Sequence, residues 1–242
     1  MTNTGVFTAV VGDVGTNATA ASSLTGFHDS TGNSYTETTA NSGDVTGTIY
    51  SCAQSTVGSD DAAPNAVKCS TGTPNATQMA ADSKTAYLQL AAMQPTPGYE
   101  TMGDSLAGVT LTAAGGGVVN VYKSAPGSFS FVGGDLTLSG SATDVFVFQM
   151  ASTLTVGAAN GGACQSVILA GGVLSKNVFW QVGSSATINA PGGCTFVGTV
   201  IASAGVAVST VGNVGIVTVD GRLMSMNASV TIVNTVINVP AK

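Results

Sequence analysis

The chain has 242 residues, 44% of them hydrophobic, and a net charge of −6 resting on twelve acidic and six basic side chains. Only 7% of the residues are charged, against roughly a quarter in an average soluble domain, so Thr, Ser, Asn, Gly and Ala must make up most of the surface. There is no basic stripe for nucleic acid, no apolar run long enough to span a membrane as a helix, and one histidine, His28, for a zinc site or an imidazole catalyst.

In chain order, the opening residues "MTNTGVFTAVV" lack the basic region and long apolar core of a secretory leader. Either the chain stays in the cytosol or its leader has been removed. The four cysteines show no C-x-x-C metal spacing. They fall as two couples, Cys52 with Cys69 and Cys164 with Cys194, which suits two disulfides in an oxidising compartment, free buried thiols being the alternative. Next comes "TPNATQMAADSKTAYLQLAAMQP", in which Met79, Ala86, Tyr87, Leu90 and Met93 recur at helical spacing. With Pro74 before it, Asn75 as cap and Pro95 beyond, this predicts a helix of about 18 residues within 75–94. Its apolar stripe reads as packing surface.

After residue 105 the chain becomes a succession of short strands rich in Val, Ile, Thr and Phe, separated by Gly-rich turns. Hairpin signals of the Asn-Gly type are few among so many short strands, which favours a coil over a meander. A shift of 22 residues lays Val178 on Val200 and Arg222, and Ser185-Ala186-Thr187 on Ala207-Val208-Ser209 and Ser229-Val230-Thr231. A shift of 32 carries the pattern back to Thr153-Leu154-Thr155, the extra residues lying in "GAANGGACQ", and one of 25 reaches Ser128-Phe129-Ser130. Three strands per coil predict a mostly β protein, a triangular β-solenoid in which each rung stacks on its neighbours.

The three strand sets differ. The first, "DVFVFQ", "NVFWQV", "GTVIA" and "GRLM", is apolar at consecutive positions, so both its faces are covered and the helix is the candidate cover. The second alternates. Leu154, Ala186, Val208, Val230, Phe129 and Phe131 turn inward, which leaves Ser128, Ser130, Thr153, Thr155, Ser185, Thr187, Ala207, Ser209, Ser229 and Thr231 outside. The third is mixed, with Thr137, Ser139, Ser166 and Thr235 expected outward.

A rigid, uncharged plane of small hydroxylated residues lacks the aromatic and Arg anchors of a protein interface and the concavity of a sugar site. It suits a ligand that is itself a repeating lattice of water: the stiff χ1 of Thr holds hydroxyl and methyl in place beforehand, so little entropy is lost when water bridges them to a crystal. Exposed Ser and Thr also follow from β-propensity alone, and composition leaves the two readings open.

The strings "TNTG", "VVGDVGT", "LTGF", "VTGTIY", "DLTLSGSATDVFVFQMASTLTV", "VILAGGVLSKNVFWQVGSSATI", "GTVIAS" and "DGRLMSMNASVTI" resemble the microbial ice-binding protein family across essentially the whole chain. The resemblance implies a single domain, 1–242, built as a right-handed, discontinuously wound β-solenoid with one long helix alongside. It implies N-terminal strands set beside C-terminal ones, where Thr2, Thr4, Thr16 and Thr19 could join a face, and a capping insertion over 46–73. It further implies adsorption of the second-set face to ice, secretion, and no enzymatic activity. No cofactor, metal, nucleic acid or membrane partner is expected, and the chain should be a monomer.

Two rivals remain. A polysaccharide-active solenoid needs clustered carboxylates or a Ca²⁺ site. Here only Asp60-Asp61 are adjacent, and they read as a solvated loop, while Asp135 and Asp144 read as turn caps. An adhesin would use the same face on another surface.

Overall fold

The computed structural model describes residues 1–61, 66–158, 164–190, 192–210 and 215–241. Its architecture follows from one local rule: in short strands with alternating apolar and small polar residues, every second side chain can be buried when the strands coil round a common axis. The inward residues of the second set, Phe129, Phe131, Leu154, Val156, Ala186, Ile188, Val206, Val208, Val230 and Ile232, all lie in one core. Their strands, Phe129–Phe131, Leu154–Val156, Ala186–Ala190, Val206–Thr210 and Val230–Ile232, pair in parallel into a sheet that Thr2–Asn3 completes. A second wall is a three-stranded parallel sheet of Thr110–Thr112, Leu136–Ser139 and Val167–Ala170. The third is ten-stranded and includes Val119–Lys123, Val145–Met150, Val178–Val182, Thr195–Ala202 and Val217–Ser225. These walls form the expected triangular, right-handed β-solenoid, the hand that parallel crossovers favour.

A ladder of rings fills the core. Phe148 stacks on Trp180 with centroids 4.1 Å apart and planes 11° from parallel, and Trp180 also contacts Phe131 and Phe196. The buried indole N–H donates to the Val197 carbonyl at 2.9 Å, so the one polar atom of the side chain is satisfied. Beside it, Gly198 and Gly221 lie in register where the two longest strands turn a corner. A Cβ on Gly221 would sit 1.9 Å from the Gly198 oxygen, so the close stacking of successive corners requires glycine there.

The winding is discontinuous. Thr2–Asn3 pairs with Val230–Ile232, and Thr8–Val11 lies between Thr235–Asn238 and Gly43–Val45. Both ends of the chain therefore share adjoining rungs.

The predicted helix spans Ala76–Ala92, its first turn closed by the Asn75 side chain, which accepts from Gln78 N–H at 2.8 Å. Leu90 packs on Val121, Val147 and Ile201, with Ala86, Tyr87 and Met93 at the margin, so the first-set strands are covered on both sides as their continuous apolarity demanded. Gln149 secures the far end by donating to the carbonyls of Leu90 and Met93.

Three expectations change. First, the repeat is not a uniform 22: Thr187 faces Ala207, a step of 20, and Ala207 faces Thr231, a step of 24. Trp180, not Val178, accordingly faces Val200. The corner between the first and second sets is one residue longer after Ser225 than after Ala202, and averaging the two coils hides this. In the second set each slip amounts to two residues, so inward and outward positions are preserved while the columns shift; in the first set Val200 faces Leu223, a step of 23. Second, Thr235 is buried, its hydroxyl donating to the Val233 carbonyl; it belongs to the ten-stranded wall. Third, Asp60 is not solvated. Its carboxylate is buried, 3.0 Å from the Lys68 ammonium and in reach of the Tyr35 hydroxyl, with Asp29 also facing Lys68.

This buried charge cluster fastens the region over one end of the solenoid. That region starts well before residue 46: the antiparallel pair Phe27–Asp29 and Ser34–Tyr35 ends the ten-stranded sheet, and Ser34 bonds to Val57. Short antiparallel strands leave little edge for another chain to pair with. Cys52–Cys69 ties the insertion down beside the helix, and Cys164–Cys194 joins neighbouring coils. Of "GAANGGACQ", residues 159–163 lie outside the described residues.

Candidate functional site

The outward side of the six-stranded sheet is built by the pleat. Stacked strands about 4.8 Å apart, with same-side residues about 6.7 Å apart along each strand, make a two-dimensional grid. Its central column, by register, is Ser130, Thr155, Thr187, Ala207, Thr231 and Thr2. Isolated bridges extend it to Ser105 beyond Ser130 and to Thr25 beyond Thr2. The column on one side holds Ser128, Thr153, Ser185, Gly205 and Ser229, just before the paired strands, and the other side includes Asn189 opposite Ser209.

All ten residues expected on this face from the sequence are on it, half-buried apart from the more exposed Ser229. The columns they occupy are partly different. Ser209 leaves the central column and hydrogen-bonds Asn189 at 2.9 Å, and Ala207 moves into it between Thr187 and Thr231. Ser128 and Thr153 share a hydroxyl–hydroxyl bond of 3.0 Å. Sequence reasoning left Thr2 unassigned and passed over Thr25, Ser105, Asn189 and Gly205. Thr2 pairs with Thr231, remote in sequence, so no local period could place it or Thr25 beyond it, whereas Ser105 lies one further step of 25 before Ser130 and was within reach of the period. Thr4 is exposed beside the sheet, Thr16 lies in a separate small sheet against Ile49–Ser51, and Thr19 is in an exposed loop.

Electrostatically the face is bare: none of its six strands contains Asp, Glu, Lys or Arg. Asp135 and Asp144 serve as turn clamps. Asp135 accepts from Ser166 N–H, and Asp144 accepts from the N–H groups of Ser141 and Gly117 and the Ser141 hydroxyl. The Ser141 N–H bond is the main reason the Asp144 carboxyl is held below its ordinary pKa. Among the described residues no group of His, Cys, Asp and Glu is placed to hold a metal ion, and no helix is long and apolar enough to cross a membrane.

The neighbouring three-stranded wall also carries hydroxyls, Thr110 with Thr137 and Thr112 with Ser139, but its next rung is Ile168 and Ala170. Its grid is both shorter and broken by a large exposed aliphatic side chain.

Fold and site together define a parallel β-solenoid that presents one long, flat, uncharged, hydroxyl-bearing wall. The chain belongs to the ice-binding-like family, whose model matches residues 1–238. It is 31% identical over 194 residues to an ice-binding protein of Flavobacterium frigoris, covering 80% of this chain and 59% of that protein, so it spans less than two thirds of that relative's length. Ice-binding protein K3-B1 of Typhula ishikariensis is 32% identical over 213 residues, 85% of this chain and 74% of that one. Among solved structures, an ice-binding protein of Shewanella frigidimarina superposes with a TM-score of 0.70 at 26% identity, covering 99% of this chain and 91% of that one.

Proposed function

We propose that this chain is a non-enzymatic ice-binding protein, and that it adsorbs to ice through the outward face of the six-stranded sheet. The observation that carries the reading is the central column, in which hydroxylated side chains follow one another in register from Ser105 to Thr25 with only Ala207 between. Ice offers no charge to pair with and no side chain to grip, so recognition depends on matching many weak hydrogen bonds at once. A grid held by a packed β core loses little freedom on binding, and each bridging water costs only about 0–2 kcal/mol to immobilise. Charged groups would keep their own hydration shells and break the match, which accounts for the bare face. Once many such contacts form together, release becomes slow, and ice advances only as curved fronts between adsorbed molecules. Membership of the ice-binding-like family supports the reading. Two disulfides favour action in an oxidising setting outside the cell, and the single flat face suits a monomer.

The test compares two walls. Thr187→Tyr places a ring above the plane in mid-column, while Thr137→Tyr does the same on the three-stranded wall. The expected result is loss of freezing hysteresis in the first variant and retention in the second, with both melting as the parent does. Loss in Thr137→Tyr with full activity in Thr187→Tyr would move the contact surface to the other wall.

A further inference from the structure

A concavity of different chemistry lies off the hydroxyl wall, on the helix side of the ten-stranded sheet. The strands Val119–Lys123, Val145–Met150 and Val178–Val182 pair so that Lys123 faces Gln149 and Gln149 faces Gln181. The three side chains form a row across two strand spacings, about 9.6 Å. Tyr87 and Ala91 of the helix, with Ala151 and Gly183 at the strand ends, border an open cavity of about 280 Å³ along that row. Small-molecule sites run from roughly 300 to 1,000 Å³, so an occupant is the size of one sugar ring, well short of a nucleotide or a peptide.

Two observations distinguish this cavity from an ordinary gap beside a helix. Gln181 lines it and is only 6% exposed, yet among the described residues its amide takes part in no hydrogen bond. Buried amides are normally paired, so this one requires a partner from outside the chain. Gln149, one rung away, donates both side-chain N–H groups to the carbonyls of Leu90 and Met93 at 2.7 and 2.8 Å, which leaves its side-chain oxygen as a fixed acceptor. The second observation is charge. Lys123 is the one charged residue bordering the cavity, and among the described residues it has no acidic partner. The Ser124 hydroxyl is already committed to the Ser128 carbonyl.

The open groups set the ligand. An ammonium without a carboxylate beside it calls for an anion, and a carboxylate would accept from it in a charge-assisted bond. The fixed oxygen of Gln149 needs a donor, which an ionised carboxylate lacks and a hydroxyl has. The amide of Gln181 both donates and accepts, as a row of hydroxyls demands, and the Tyr87 ring supplies apolar surface at the border. We propose that this cavity binds a hexuronate, an acidic sugar ring, with Lys123 holding the carboxylate and Gln149 and Gln181 the ring hydroxyls. The site stands apart from the hydroxyl wall and does not depend on what that wall binds.

Calorimetric titration of the full chain with sodium glucuronate, glucose and a short oligoglucuronate, at matched ionic strength, tests the proposal. Hydrogen bonds to charged groups are strong enough that glucuronate should bind saturably and roughly tenfold or more tighter than glucose, with a similar loss in Lys123→Glu and in Gln181→Met. Thermal melting checks both variants. Lys123 is exposed, so Lys123→Glu keeps the test decisive if Gln181→Met fails to fold. Absence of saturable glucuronate binding, equal affinity for glucose and glucuronate, or an affinity unchanged by Lys123→Glu overturns the proposal. The oligomer separates two sources of the same ligand: binding as tight as that of the monomer supports a uronate carried in a polysaccharide, and exclusion of the oligomer with the monomer bound supports the free acid.

Discussion

Asp29 and Glu37 show how a chain so poor in charge uses the few it has. Burial favours the neutral form of Asp29. The Thr31 hydroxyl and the N–H groups of Asn33 and Thr31, together with nearby Lys68, nevertheless hold its carboxyl below the ordinary 3.8. Glu37 follows the same pattern: burial opposes ionisation, and hydrogen bonds with His28, Ser42 and Ser34 bring it below 4.5. A folded-state pKa below the unfolded one means stability that is fully present above the unfolded value and lost as pH falls through the folded one. The melting temperature should therefore drop as the medium is acidified below about pH 4.5. Asp29→Asn should start lower at neutral pH and show a shallower acid decline; an unchanged slope would show that the end region does not limit acid stability. The pairing of Asp60 with Lys68 could not be read from the sequence, because nothing in "GSDDAAP" distinguishes a buried carboxylate from a solvated one until Lys68 is folded back over it.

At the scale of elements, the helix was legible nearly to the residue. Its stripe from Met79 to Met93, its cap and its flanking prolines are all local signals, and the covered first-set strands told it where to pack. The strands were legible as alternation, yet their pairing was not, because corner length decides register and the corners of Gly, Ser, Ala and Asn carry no pattern of their own. The cysteine pairs were read correctly from their count and grouping. Cys52–Cys69 spans 17 residues and Cys164–Cys194 spans 30, and loop-closure entropy gives each about 3 kcal/mol. Denaturant titration with and without reductant should show a loss of that order for each bridge, with Cys52→Ser affecting chiefly the insertion beside the helix. A reduced protein as stable as the oxidised one would mean that packing alone holds those segments.

For the whole molecule, the chain ends are part of the candidate site. Thr2 lies opposite Thr231 in the central column and Thr25 follows it, so the wall is completed by segments more than two hundred residues apart in sequence. Thr2→Tyr should accordingly lower freezing hysteresis, though less than Thr187→Tyr because Thr2 lies nearer the end of the column. An unaltered activity would confine the working surface to the C-terminal rungs.

The sequence by itself determined the class of fold, the helix and its covered wall, the parity that sends Ser and Thr outward on the second set, and the family, because each depends on short-range periodicity or on local strings of residues. Only the tertiary structure decided which hydroxyls share a column, that Ala207 lies at its centre, and that Thr2 belongs to it. Those depend on corner lengths and on the return of the N-terminus to the last rungs, and both are settled by how the coils stack, not by any property of the residues they align.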